Sequence, residues 1–142
     1  MMDKNDYPFK TEVSPSDIYQ IIIEFFKNKK ELSDDVLEWL YCNYADIALD
    51  ALNIIDKFKI QKIISNSNQI LYRVNINKFE KVICLPEVYY CSCDKYITEV
   101  IVFQKENMCA HLLSSIIVHN IPINIDEIKL SNEDFAKVLM SM

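Results

Sequence analysis

Three of the five cysteines and one of the two histidines in this 142-residue chain fall in two tight pairs, Cys91 with Cys93 and Cys109 with His111. Both lie within "YYCSCDKYITEVIVFQKENMCAHLL", residues 89–113. In extended backbone, residues i and i+2 point to the same side, so Cys91 and Cys93 can offer both sulfurs to one ion. In a regular helix the same spacing turns side chains roughly 200° apart. Cys109 must therefore sit in the turn that enters a helix, with His111 in its first turn. Three thiolates and an imidazole suit tetrahedral Zn²⁺, at ~2.3 Å from sulfur and ~2.0–2.1 Å from nitrogen. Such a set leaves no coordination position for water or substrate, so the expected site is structural rather than a Lewis-acid catalyst. Cys42 and Cys84 lack the paired spacing and read as packing residues. His119 reads as a cation suited to a helix C-terminus.

The elements that must position these ligands show in the periodicity. "SPSDIYQIIIEFFKNKK" predicts a helix from about 15 to 29, with Ser14 as N-cap, Pro15 at the first helical position and lysines at the far end. Its apolar residues make two stripes: Ile18, Ile21, Ile22 and Phe25, then Tyr19, Ile23 and Phe26. Such a helix is either central in the core or covered by a partner. "SDDVLEWLYCNY" predicts a second helix capped by Ser33, and "ADIALDALNIID" a third lined by Ile47, Ala51, Leu52 and Ile55. The period then changes. "FKIQKIIS" and "QILYRVNI" flank an asparagine turn as paired strands, with Ile70, Tyr72, Val74 and Ile76 on the buried face. "FEKVICL" supplies a third strand and "VYYCSC" a fourth. "DKYITEVIVFQK" is a helix candidate despite its β-branched content. "CAHLLSSIIVHN" reads as a helix stopped before Pro122, and "SNEDFAKVL" as a closing one capped by Ser131, with Asp134 in the reciprocal position. The fold class is therefore α+β in one domain, residues 1–142. It comprises N-terminal helices over 1–57, a small antiparallel sheet with the zinc finger over 58–120, and a C-terminal tail and helix over 121–142.

Composition bounds the function. Apolar residues make up 51% and mean hydropathy is +0.02, so the chain can build a core. No apolar run approaches the ~20 residues of a membrane span. The polar, mixed-charge N-terminus lacks the apolar region of a secretion signal, which predicts an intracellular protein with reduced thiols. Net charge is −6 and the pI about 4.9. Three thiolates against one dication would add a further negative charge. Nucleic-acid affinity comes largely from Lys and Arg on phosphates, so the chain alone is a poor candidate for gripping DNA. The clusters Lys27, Lys29, Lys30 and Lys57, Lys59, Lys62 read as solvated helix or strand ends. Glycine is absent. That excludes a Gly-rich phosphate loop and moves tight turns onto asparagine, as at residues 66–68. A thiol enzyme or metallo-hydrolase would need an open coordination position or a low-pKa cysteine.

A CxC followed at a distance by CxH resembles the SWIM-type zinc finger. "ALNIID" at 51–56, the paired strands around "IISNSNQILYRV", "CLPEVYYCSC" at 84–93, the spacing of the two pairs and "HLL" after His111 are together similar to the small SWIM proteins of the Shu complex. One departure is Ser114, where the family usually has alanine. The resemblance implies a zinc-binding, non-enzymatic, nuclear accessory factor of homologous recombination, hetero-oligomeric with one or more RecA-like recombinase paralogues. It would reach single-stranded DNA through the complex and have no membrane association. The first helix and "YITEVIVF" at 96–103 are the candidate partner surfaces. The competing expectation is a finger that binds single-stranded DNA directly.

Overall fold

Asn28, at φ 67°, turns the chain after the first helix, and the amide of Lys29 closes on the carbonyl of Phe26 at 2.9 Å. Helix α1 therefore spans Pro15–Phe26, three residues shorter than the expected end, and Lys27, Lys29 and Lys30 lie beyond it. The computed structural model describes residues 15–57, 59–103 and 108–141; Ser14, the expected cap, lies outside them. Tyr19, Ile22 and Phe26 form the buried face of α1, and Ile21 is 60% exposed. Phe25 stacks on Trp39 of the next helix, with ring centroids 4.2 Å apart.

Helix α2, Asp34–Tyr44, buries Val36 and Leu40. Ser33 occupies the cap position in extended geometry, yet its hydroxyl donates to the Asp35 carboxylate instead of capping a backbone amide. Helix α3, Asp46–Asp56, follows with only Ala45 between, and buries Ala48, Ala51 and Ile55. Ala45 makes that corner at φ 47°, ψ −119°. In a chain without glycine, an alanine here stores backbone strain of about 1–3 kcal/mol.

Strands β1 (Ile60–Ser65) and β2 (Ile70–Asn75) pair antiparallel, with Ile60 opposite Val74. Asn68, at φ 66°, closes their turn where asparagine was expected to do so. β3, Lys81–Leu85, pairs antiparallel with β2. A 3₁₀ turn, Pro86–Val88, and Tyr89 in the left-handed region lead to β4, Tyr90–Cys91, which sets Cys91 opposite Cys84. The chain then winds a π-helical stretch, Tyr96–Val102, in which the amide of Phe103 reaches the carbonyl of Thr98, five residues back. Helix α4 spans Ala110–Asn120 and stops before Pro122 as expected.

The sheet gains one strand that periodicity did not reveal. β5, Asp126–Leu130, joins in parallel beside β1, so the order is β4-β3-β2-β1-β5 and the expected antiparallel sheet is mixed. Helix α5, Asn132–Met140, closes the chain with the Ser131 hydroxyl accepting from the Asp134 amide, as anticipated. Both faces of the sheet are covered. One face carries Ile60, Tyr72, Val74, Val82 and Cys84 against α1 to α4; the other packs Ile63, Leu71 and Ile83 on Phe135 of α5. Leu71 is therefore buried, where a sheet with one buried face would leave it in water. Among the described residues no helix is long and apolar enough to cross a membrane.

Candidate metal centre

Cys91 ends β4, and the amide of Ser92 still donates to the carbonyl of Ile83 at 3.0 Å. In return the Ile83 amide donates to Ser92 Oγ at 2.9 Å, a side chain standing where a strand carbonyl would. The extended geometry thus runs on past β4, and Cys91 and Cys93 project to the same side while Ser92 turns away. Cys93 sits in the turn before the π-helical stretch, its sulfur accepting from the Tyr96 amide at 3.2 Å. Cys109 is the N-cap of α4, at φ −118°, ψ 162°, and its sulfur accepts from the Leu112 amide at 3.4 Å. His111 follows in the first turn. This is the entry geometry that the CxH spacing required.

The four donor atoms of Cys91, Cys93, Cys109 and His111 all lie within 4.8 Å of one another. The three cysteines are buried, with Cys91 and Cys109 at 0% and 1% exposure. Burial and proximity make them unequal acids. Hydrogen bonding with Cys109, then with Cys91, holds the Cys93 thiol far below the usual thiol range, against the effect of burial. Cys109 is pushed far above it, first by its bonds to Cys91 and Cys93 and then by burial. For Cys91 the bond with Cys109 favours the thiolate, but Cys84, Cys93 and burial outweigh it and the group is raised. Without a metal the three thiols are thus driven in opposite directions.

Two observations test whether a metal fits here. His111 Nδ1 is buried and has no hydrogen-bond partner, and a buried polar atom left so costs about 1–3 kcal/mol unless something takes its lone pair. The donor set itself, three sulfurs and one imidazole, matches a structural zinc site and supplies no hard oxygen ligand. The residues present fit zinc.

The remaining chemistry-bearing residues fall outside this group. Cys42 is exposed on α2. Cys84 is fully buried and stands 3.7 Å from Cys91, sulfur to sulfur, so it borders the centre instead of merely filling the core. His119 does more than face a helix dipole: its Nδ1 lies 2.8 Å from the Tyr72 hydroxyl and its Nε2 3.4 Å from Glu87. It ties β2, the end of α4 and the 3₁₀ turn together. Ser114, in the place of the family's alanine, is buried and donates to the His111 carbonyl at 2.7 Å, so the hydroxyl is satisfied within its own helix. The outer contacts of the sulfurs were not read from the sequence. The amides of Tyr96 and Leu112 follow the two ligand cysteines by three residues, a spacing that turn chemistry could have flagged.

No protein-family model matches the chain, and no solved structure matches it. Curated proteins do. The chain is 30% identical over 134 residues to "Zinc finger SWIM domain-containing protein 7 homolog" of Dictyostelium discoideum, covering 94% of this chain and 85% of that protein. It is 25% identical over 114 residues to "Zinc finger SWIM domain-containing protein 7" of Mus musculus, covering 80% and 74%. Against the Homo sapiens protein of that name the identity is 23% over 131 residues, covering 90% and 93%.

Proposed function

We propose that this chain, which belongs to the zinc finger SWIM domain-containing protein 7 family, holds one structural zinc ion and works as a non-enzymatic subunit of a Shu-like recombination-repair complex. The ligands are Cys91, Cys93, Cys109 and His111. A bound zinc ion would supply the charge that lets three buried sulfurs ionise together. The chain's own residues do the positioning: β4 and its Ser92 extension present two sulfurs, and the cap of α4 presents the third with the imidazole. The result fixes the sheet edge against α4, which packs on α3.

The observation that carries this reading is the cluster of three buried cysteines and the half-buried His111 with donor atoms within 4.8 Å of one another, a set that would fill a tetrahedral zinc ion and leave a substrate no place on it. In the family resemblance such a subunit binds a RecA-like recombinase paralogue in the nucleus. The π-helical stretch between the ligand pairs, with the residue that follows it, supports a partner surface: Ile101 is 49%, Val102 61% and Phe103 62% exposed. So does Ile21 on α1. The acidic balance of the chain favours a route to DNA through the complex over direct phosphate contacts.

The test is to co-express the chain with a RecA-like paralogue, then measure zinc by elemental analysis and partner by co-purification. About one zinc per chain is expected, with both zinc and partner lost together in Cys91→Ala, Cys93→Ala, Cys109→Ala and His111→Ala, because metal binding and folding are coupled. Partner lost while zinc and fold persist would separate the finger from the interface. Retarded migration of single-stranded DNA by the isolated chain at about physiological salt would favour direct DNA binding instead.

A further inference from the structure

The three ligand sulfurs each take a hydrogen bond, and the sources differ. Cys93 and Cys109 sit at positions where the chain turns into a helix, so each sulfur faces the amide three residues ahead, Tyr96 N and Leu112 N. This is the capping geometry that serine and aspartate use with oxygen. Cys91 lies in extended backbone, which does not fold the amide three residues ahead back onto its sulfur. Its partner comes from across the sheet. The Ser92 amide reaches the Ile83 carbonyl, which makes Ile83 and Ser92 the hydrogen-bonded pair. Cys84 and Cys91 are then the adjacent narrow pair, whose Cα atoms stand only about 4.5 Å apart with side chains on one face.

We infer that Cys84 is a positioning residue for the metal centre: once zinc has displaced the Cys91 proton, the Cys84 S–H donates to the Cys91 thiolate, its sulfur 3.7 Å away, in place of the backbone amide that the other two thiolates receive. This rests on the zinc reading proposed above. The contact is well placed to matter. Cys84 is fully buried, so no water competes for its proton. Its sulfur is not one of the four mutually close donors, so it serves the ligand without joining the set. Cys91 shares the donor cluster with His111, whose Nδ1 is buried and unpartnered. Outer contacts of this kind orient a ligand and spread its charge, and losing one typically costs 10–100-fold in metal affinity. No bond is made or broken and no electron moves.

Two measurements on the zinc-loaded, full-length chain test this. In Cys42→Ser, whose change lies at an exposed position, the three ligand cysteines carry no proton. Cys84 then supplies the S–H infrared band, expected below the free-thiol frequency; a band at that frequency overturns the inference. In the second, Cys84→Ala is expected to weaken zinc about tenfold in chelator competition and to move the sulfur-to-cobalt charge-transfer band of the Co²⁺ form to lower energy. Cys84→Ser, which keeps a donor, is expected to restore most of both. An unmoved band in Cys84→Ala, or serine behaving as alanine does, reduces Cys84 to a packing residue and overturns the inference. Should Cys84→Ala fail to fold, the infrared result decides alone. Failure of the wild-type chain to bind zinc would instead sink the zinc reading itself, so the two failures are distinguishable.

Discussion

Three thiols crowded into a buried pocket shift one another's acidity in opposite directions, and that makes a measurable prediction. Without metal, Cys93 is the depressed group, while Cys91 and Cys109 are raised and keep their protons at neutral pH. All three must be thiolates to bind zinc. Binding near pH 7 is therefore expected to release protons, and apparent affinity to rise with pH. Calorimetry in buffers of different ionisation enthalpy counts those protons; release of none would mean that the sulfurs are already ionised or are not the ligands. At this scale the clustering of Cys91, Cys93, Cys109 and His111 was legible because i, i+2 spacing converts directly into direction on a strand and at a helix cap. Cys84 was not. Its neighbour is seven positions away in sequence and comes beside it only through the β3–β4 register. Nor was His119's bond to Tyr72, which links residues 47 apart.

Local chemistry predicted most elements, and the misses have local causes too. Asn68 took the positive-φ turn expected of it, but Ala45 and Tyr89 also adopt positive φ without the side chain that favours it. At Ala45 the corner is imposed by α2 and α3 packing into one core, which leaves no residue to spare between them. Glycine there would relieve strain of about 1–3 kcal/mol and forfeit part of that to the greater freedom of the unfolded chain. Ala45→Gly is thus expected to stabilise the protein by about 1 kcal/mol, seen as a higher urea midpoint at unchanged slope. A lower midpoint would show the corner to be unstrained. The stretch Tyr96–Val102 is helical as its pattern allowed, but wound in the wider π form. β5 escaped detection because "DEIKL" is an edge strand with its acids in water, and only its parallel seat beside β1 makes it a strand.

The molecule as a whole is a mixed sheet buried on both faces, with the metal centre on the side that carries the larger core. Burial there governs behaviour in base. The Tyr44 hydroxyl is pushed up to about 12 by burial, where its ring stands edge-on to Trp39. An unfolded tyrosine ionises near ~10, so the folded chain holds this proton when the unfolded chain has lost it. Its contribution is complete below pH 10 and disappears as pH rises through 12. Tyr44→Phe keeps the ring, and its unfolding between pH 10 and 12 is expected to be less steep by circular dichroism; an unchanged profile would place the alkaline sensitivity elsewhere. The sequence by itself determined the Cys₃His donor set, the helices and hairpin around it, and the acidic surface, because spacing, capping and charge are local properties. Tertiary structure alone decided that α5 seals the far face of the sheet, that β5 runs parallel, and that Cys84 meets Cys91. Each of those depends on which distant segments share a face, and pairing across a sheet is set by the burial of the whole core.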